Sequence, residues 1–347
     1  MKNQAYQKQL RWLAGSALVM LAAAPALLSD FHIYQFSLML TYAMAILGVN
    51  LLLGMAGLVS LAQGVFFACG AYTSAILISQ HEVHYVLALA CGVLTSGLLG
   101  VVIGAPVLRL QGLQLAIVTF GLSALVPQLI LKLDSITKGT SGISFNKPLA
   151  PLWFPGNQET WIFLLCVAGV LICLGTMWRL IHGDTGRSLR AMRDNSLIAG
   201  SLGVNIARVR LMAFTTSAAF AGLGGGLFAM LSGFVGPDAF TALKSIDFLV
   251  GSVVGGMTSI TGAFFGAFFV LFLPEWTAEI NLAMAGLVYG GCLVITMLLM
   301  KDGFMGLIER WISSAVARRA RHESATSVPN CGTVADASAA DLIKTIN

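Results

Sequence analysis

Asp, Glu, Lys and Arg are absent from seven stretches of this chain: 33–80, 84–105, 112–131, 160–178, 211–237, 248–274 and 280–300. A soluble surface needs roughly 25% charged residues. Here the whole 347-residue chain has 10%, against 57% hydrophobic. Runs of about 20 apolar residues cross a bilayer as helices, because a helix satisfies its own backbone in lipid. The pattern predicts an all-α polytopic integral membrane protein. Hydrophobic segments fall at roughly 12–29, 33–53, 61–80, 84–105, 112–131, 160–180, 211–232, 244–257, 261–276 and 281–300. The two at 244–257 and 261–276 are short and glycine-rich, so tilted, broken or re-entrant geometry is open to them. The expected count is eight to ten transmembrane helices. The first segment follows Lys2, Lys8 and Arg11 and continues past Ala22–Ala26, which favours an uncleaved helix over a signal peptide.

Charge sets the topology. With a cytoplasmic N-terminus, alternating segments place sixteen of the 20 Lys and Arg residues inside, including every arginine. Lys132, Lys138, Lys147 and Lys244 fall outside. That asymmetry is the positive-inside pattern, and it puts both termini in the cytoplasm. It also accounts for the net charge of +5 without nucleic acid as a partner. Two polar loops result: an outer one over 132–160 and an inner, arginine-rich one over about 182–210. After Arg321 the chain is Ala/Ser/Thr-rich, and residues 311–347 read as a basic, then disordered, tail.

Gly222/Gly226, Gly251/Gly255, Gly262/Gly266 and Gly286/Gly290 are each four apart, a spacing that lets helix backbones approach closely in lipid. Packing is the simpler reading of these glycines. Lining a path or forming a hinge is the alternative for Gly255 and Gly256 and for the 221–226 run. Cys69, Cys91, Cys166, Cys173 and Cys292 lie in apolar runs and Cys331 in the tail; none forms a CxxC pair, so free thiols are expected. His81 and His84 flank Glu82 without the ligand spacing of a metal site, and no metal is expected.

No G-x-x-x-x-G-K-[ST] phosphate loop is present, so ATP is not bound that way. The segments hold no convergent nucleophile, His and carboxylate set, so the chain is not read as an enzyme. Ion- and proton-coupled carriers often place carboxylates or histidines at mid-membrane; the seven stretches above hold no Asp, Glu, Lys or Arg. The driving energy is expected from elsewhere.

The inner loop, GRSLRAMRDNSLIAGSLGVNIARVR at 186–210, carries one weakly apolar helical face at Leu189, Met192, Ser196 and Ala199, and another at Ile198 and Leu202. Asp194, Asn195 and Ser196 can cap a helix start, and Gly203 can stop it. Orientation alone needs no such helix; Ala199, Gly200 and Gly203 suit close approach to a partner.

This stretch, continued as LMAFTTSAAFAGLGGGLFA, resembles the cytoplasmic loop and following helix of LivM-type permeases, the membrane subunits of branched-chain amino acid ABC importers. The resemblance extends through GMAGLVSLAQGVFFACGAYTSAIL at 54–77, LRLQGLQLAIVTFGLS at 108–123 and TKGTSGI at 137–143. It continues through GFVGPDAF at 233–240, SIDFLVGSVVGGMTSITGAFFGA at 245–267, LPE at 273–275 and KDGFMG at 301–306. It implies one transmembrane permease domain over 1–310, in a bacterial inner membrane. It further implies two separate ABC ATPase subunits that carry ATP and Mg, with no cofactor bound by this chain. A homologous LivH-type second permease and a periplasmic binding protein complete the implied set of partners, besides membrane lipid. The implied ATPase-coupling residues are Arg193, Asp194, Asn195, Ile198, Ala199, Leu202, Gly203 and Arg208. The implied translocation-pathway residues are Gln63, Phe66, Phe67 and Tyr72, with Gly255 and Gly256; packing is the competing reading for the three aromatics. The family commonly carries His at the Gln63 position and Gln at the Leu58 position. Leucine, isoleucine and valine are the expected cargo, with urea, short amides and aromatic acids carried by relatives. A stand-alone carrier or channel is the alternative from another class.

Overall fold

The most completely buried of the membrane-length helices, α1 (Asp30–Val49), runs without a break into a π-helical turn at Asn50–Met55. This is a computed structural model, and it describes residues 29–280 apart from 108, 111 and 152–155, together with 286, 290, 291 and 294. The expected segments at 12–29 and 281–300, and the tail, lie outside these residues. Residues 56–62 are non-helical, and α2 follows (Gln63–His81). Then come α3 (Tyr85–Val107), α4 (Leu113–Lys132) and the single turn α5 (Asp134–Thr137). After β1 (Ile143–Ser144) the chain forms α6 (Gln158–His182), α7 (Asp184–Asp194), α8 (Ser196–Ser201) and α9 (Ile206–Ser232). It closes with β2 (Phe234–Val235), a 3₁₀ turn at Pro237–Phe240, α10 (Ala242–Gly255) and α11 (Gly262–Ile280).

Among the described residues five helices are long and apolar enough to cross a membrane: Asp30–Met55, Tyr85–Val107, Leu113–Lys132, Gln158–His182 and Ile206–Ser232. They match the sequence segments. The remaining segments behave differently. α2 starts deep: Gln63 Nε2 donates to Ala45 O at 3.0 Å and to Ser217 O at 3.2 Å. Ala45 lies ten residues above Met55, about 15 Å at 1.5 Å per residue. Residues 56–62 therefore climb back into the protein without helical hydrogen bonds, which is tolerated where backbone is enclosed by protein.

Glycine makes the core possible. α9 lies against α1, α2 and α3. A Cβ on Gly225 would sit 1.9 Å from Phe67 O, and one on Gly70 2.1 Å from Gly222 O. α10 and α11 cross the same way, with 1.9 Å from a Gly255 Cβ to Gly262 O. Three of the four expected glycine pairs thus sit at helix crossings, as small-residue packing requires; Gly286/Gly290 falls largely outside the described residues. Phe67 fills the centre, its ring 5.2–6.2 Å from those of Tyr42, Phe228, Phe240 and Phe248.

The two polar loops lie at opposite ends. At one end β1 pairs antiparallel with β2 in the register Ile143↔Val235, Lys147 meets Glu159 at 2.6 Å, and Asn157 donates to Asp30 at 3.2 Å. At the other end stand α7 and α8. One sequence expectation fails. Lys244 is not in an outer loop. Its Nζ lies over the Tyr42 ring, 4.8 Å from the centroid, and Tyr42 is at the middle of the Asp30–Met55 span. Charge counting along the chain assigns Lys244 to an outer surface. The chain instead dips inward after β2, so that α10 is a half-length helix starting at mid-depth. Lys244 and Asp247 come with it, and the interior is not charge-free.

Candidate functional site

Two features compete for function, one at the α7–α8 end and one at mid-depth. In the first, α7 and α8 meet at a corner built by Asn195, whose extended backbone breaks the helix while its Oδ1 accepts from Leu197 N at 3.0 Å and Ile198 N at 3.2 Å. This is an N-cap, satisfying donors a helix start leaves open. Gly203, at φ +86°, turns the chain out of α8, and Asn205 caps α9 by accepting from Arg208 N at 3.1 Å. Leu189, Met192 and Ala199 are buried, as the weakly apolar face predicts. Leu197, Ile198 and Leu202 project outward with 84%, 58% and 77% of their surfaces exposed. Asp194 and Arg208 are exposed at the flanks. Ala199 differs from its expected role: at 1% exposed it presses inward on the body of the protein, not outward on a partner.

Arg193 is exposed but reaches back to the body of the protein. Its Nη1 donates to Gly54 O in the π turn, and its Cγ lies 3.3 Å from where a Cβ on Gly57 would stand. The π turn is fixed in its turn to α10. Asn50, fully buried, accepts at Oδ1 from Ser252 Oγ at 2.5 Å and donates to Ser259 O at 3.0 Å. The α7–α8 corner is therefore tied through Arg193 to α1 and on to α10. Arg193→Ala removes a charge-assisted hydrogen bond worth about 1.5–3 kcal/mol when buried and less at this half-open site. We expect amide hydrogen exchange over 52–58 to rise in that variant, with Arg193→Lys in between. Unchanged exchange would show that the bond restrains nothing.

At mid-depth the starts of α2 and α10 meet. Ser245 Oγ accepts from Gly64 N at 2.9 Å and donates to Ser123 Oγ at 3.0 Å. Ser123 in turn donates to Leu61 O, and Thr119 Oγ1 accepts from Leu61 N at 2.9 Å. Of the expected pathway residues, Gln63, Phe66 and Phe67 are spent on packing within this chain. Gln63 braces α1, α2 and α9, with Ser217 Oγ 3.1 Å from its Oε1. Tyr72 packs its ring, tilted, 5.5 Å from that of Phe240, and its buried hydroxyl has no hydrogen-bond partner among the described residues. Gly255 lies in the α10–α11 crossing, and Gly256, at φ +113°, ends α10.

The family model described as "Branched-chain amino acid transport system / permease component" matches residues 33–297. The chain belongs to this family. The high-affinity branched-chain amino acid transport system permease protein LivM of Salmonella typhimurium is 32% identical over 83% of this chain and 73% of its own length. LivM of Escherichia coli K12 is 32% identical over the same shares. The permease protein LivH of Salmonella typhimurium is 23% identical over 77% of this chain and 91% of its own. No solved structure matches the chain. In this permease the sequence points to the α7–α8 corner but misses Leu197, its most exposed apolar residue. Its spacing from Ala199 offers a signal for it, since residues two apart on a helix stand about 200° apart round the axis, so Leu197 faces outward when Ala199 faces in. Lys244 and Asp247 carry no such signal, because nothing local distinguishes a surface loop from a re-entrant half-helix.

Proposed function

We propose that this chain is the LivM-type subunit of an ABC importer for branched-chain amino acids. It lies in a bacterial inner membrane with both termini and the α7–α8 corner in the cytoplasm. Two ATPase subunits bind ATP and Mg and receive the corner. A LivH-type permease pairs with this one, and a periplasmic binding protein delivers substrate to the opposite end, where residues 132–160 and 233–236 lie. The observation that carries the reading is an apolar tip held on a rigid corner, in a chain of this family without a phosphate loop of its own. ATP-driven closure of the ATPases then moves α7–α8 as a body. Through Arg193 and Asn50 that motion reaches α1 and α10.

The test is purification of the tagged chain from its native membrane, with partners identified by mass spectrometry and uptake measured after reconstitution. Recovery of two ATP-binding subunits and a second permease, with ATP-dependent uptake of leucine, isoleucine or valine, is expected. A chain recovered alone and still competent for uptake would make it a self-sufficient carrier.

A further inference from the structure

Lys244 and Asp247 stand three residues apart in the first two turns of α10, and their depth is fixed from two sides. Ser245, between them, bonds Ser123, the middle residue of α4 (Leu113–Lys132). Lys244 lies over Tyr42, the middle of the Asp30–Met55 span. Both charges are thus at the centre of the membrane-crossing region, where an uncompensated Lys or Asp is costly.

Such charges normally persist by pairing with each other or with the protein. Here Lys244 acts electrostatically on Asp247 one turn away, yet among the described residues neither charge is closed into an ion pair within 4 Å or a side-chain hydrogen bond; the lysine Nζ lies over the Tyr42 ring. Both side chains remain partly accessible. Lipid cannot compensate them, so the face of α10 that carries them needs water or a polar solute. A solute here meets a positive group, Lys244, beside the positive end of a half-helix, and a negative group one turn farther along. Neighbouring positions on one helix face are about 5–6 Å apart at Cβ. Leu243, 67% exposed, adds an apolar surface next to them.

We propose that Lys244 and Asp247 form a transient subsite for the zwitterionic head of the transported amino acid. Lys244 and the α10 N-terminus take the α-carboxylate, Asp247 takes the α-ammonium, and Leu243 lies along the aliphatic side chain. Placement at mid-depth and at the start of a broken helix is where transporters commonly hold anionic groups of their solutes. The subsite rests on the amino acid reading of function above.

The test uses the complete importer in proteoliposomes, with Lys244→Cys and Asp247→Cys in this chain and L-leucine as the solute. Each variant is expected to assemble and to keep ATP hydrolysis stimulated by the loaded binding protein, while uptake falls about tenfold or more, as for loss of one partner in a buried charge contact. Aminoethyl methanethiosulfonate should restore uptake in Lys244→Cys, and sulfonatoethyl methanethiosulfonate should restore it in Asp247→Cys. Each reagent should fail on the other variant. Thiols that stay unlabelled in every nucleotide state would place these residues against a partner subunit and overturn the subsite. So would undiminished uptake, or equal restoration by both reagents. Where a cysteine variant fails to assemble, Lys244→Gln and Asp247→Asn give the same comparison of uptake with ATP hydrolysis. A wild-type importer that takes up no leucine, isoleucine or valine defeats the functional reading itself, before any variant is compared.

Discussion

Leu197→Asp combined with Leu202→Asp leaves a folded permease that no longer retains its ATPases. Both leucines are more than three-quarters exposed, so the exchange removes no packing within the chain. The corner is held by other groups: the Asn195 cap, buried Leu189, Met192 and Ala199, and the bond from Arg193 to Gly54. Burying a leucine side chain contributes about 1.5–3 kcal/mol. Losing two of them from a partner's groove costs about 3 kcal/mol or more, which is over 100-fold in affinity, before the burial of two carboxylates is counted. Co-purification of ATPase subunits should drop to background and uptake with it, at unchanged permease yield. Full ATPase recovery and normal uptake would remove the corner from the coupling mechanism. Ala199→Asp is the contrasting variant: it forces a charge into the seat of α8, and lower permease yield accompanies its loss of function.

Gly225→Val acts on folding instead. The added Cβ would meet Phe67 O at 1.9 Å and the Phe67 carbonyl carbon at 2.8 Å. The obstruction is backbone, which cannot swing aside, so α9 and α2 must separate. Separation breaks the Gln63 brace and opens the ring cluster around Phe67. Overpacking of this kind costs about 3 kcal/mol or more, and folded, monodisperse permease should be nearly lost in fluorescence-detected size exclusion. Gly121→Ala and Gly175→Ala, where nothing lies within 4 Å of a built Cβ, should keep normal yield. A stable Gly225→Val permease would mean that α2 and α9 do not cross at that point.

The fold class, most of the spans and the presence of a helix in the 186–210 loop were legible because each rests on a local pattern. Charge-free runs fix where lipid can lie. Asn195 before an apolar pair and Gly203 after it fix a short capped helix. Gly222, Gly226, Gly251, Gly255, Gly262 and Gly266 announce close crossings. Which face of the short helix points out was not legible. Ala199 is as small and neutral as a docking residue should be, yet α7 and the start of α9 hold it inward. Arg193 reads as one basic residue among several until Gly54 comes within its reach from a segment 139 residues away. Gln63 reads as a polar group near a path, and proves to be a brace between carbonyls of two other helices. Lys244 was misplaced for the same reason. Depth is a tertiary quantity, set here by Ser123 and Tyr42 on other helices, and no window along the chain contains it.

The α2–α9 crossing also bears on how the protein is made. Gly70, Gly225 and Gln63 join two helices separated by the stretch from His81 to Ile206. At ribosomal rates of about 5–20 residues per second, α2 waits roughly 10–30 s for its main partner to emerge. During that interval α2 has its earlier-made neighbours, chiefly α3, to lean on, but not the helix that meets its glycine face. Nascent chains ending before α9 should therefore be far more susceptible to membrane proteases than those ending after Ser232, with the boundary near the residue that pairs with Gly70.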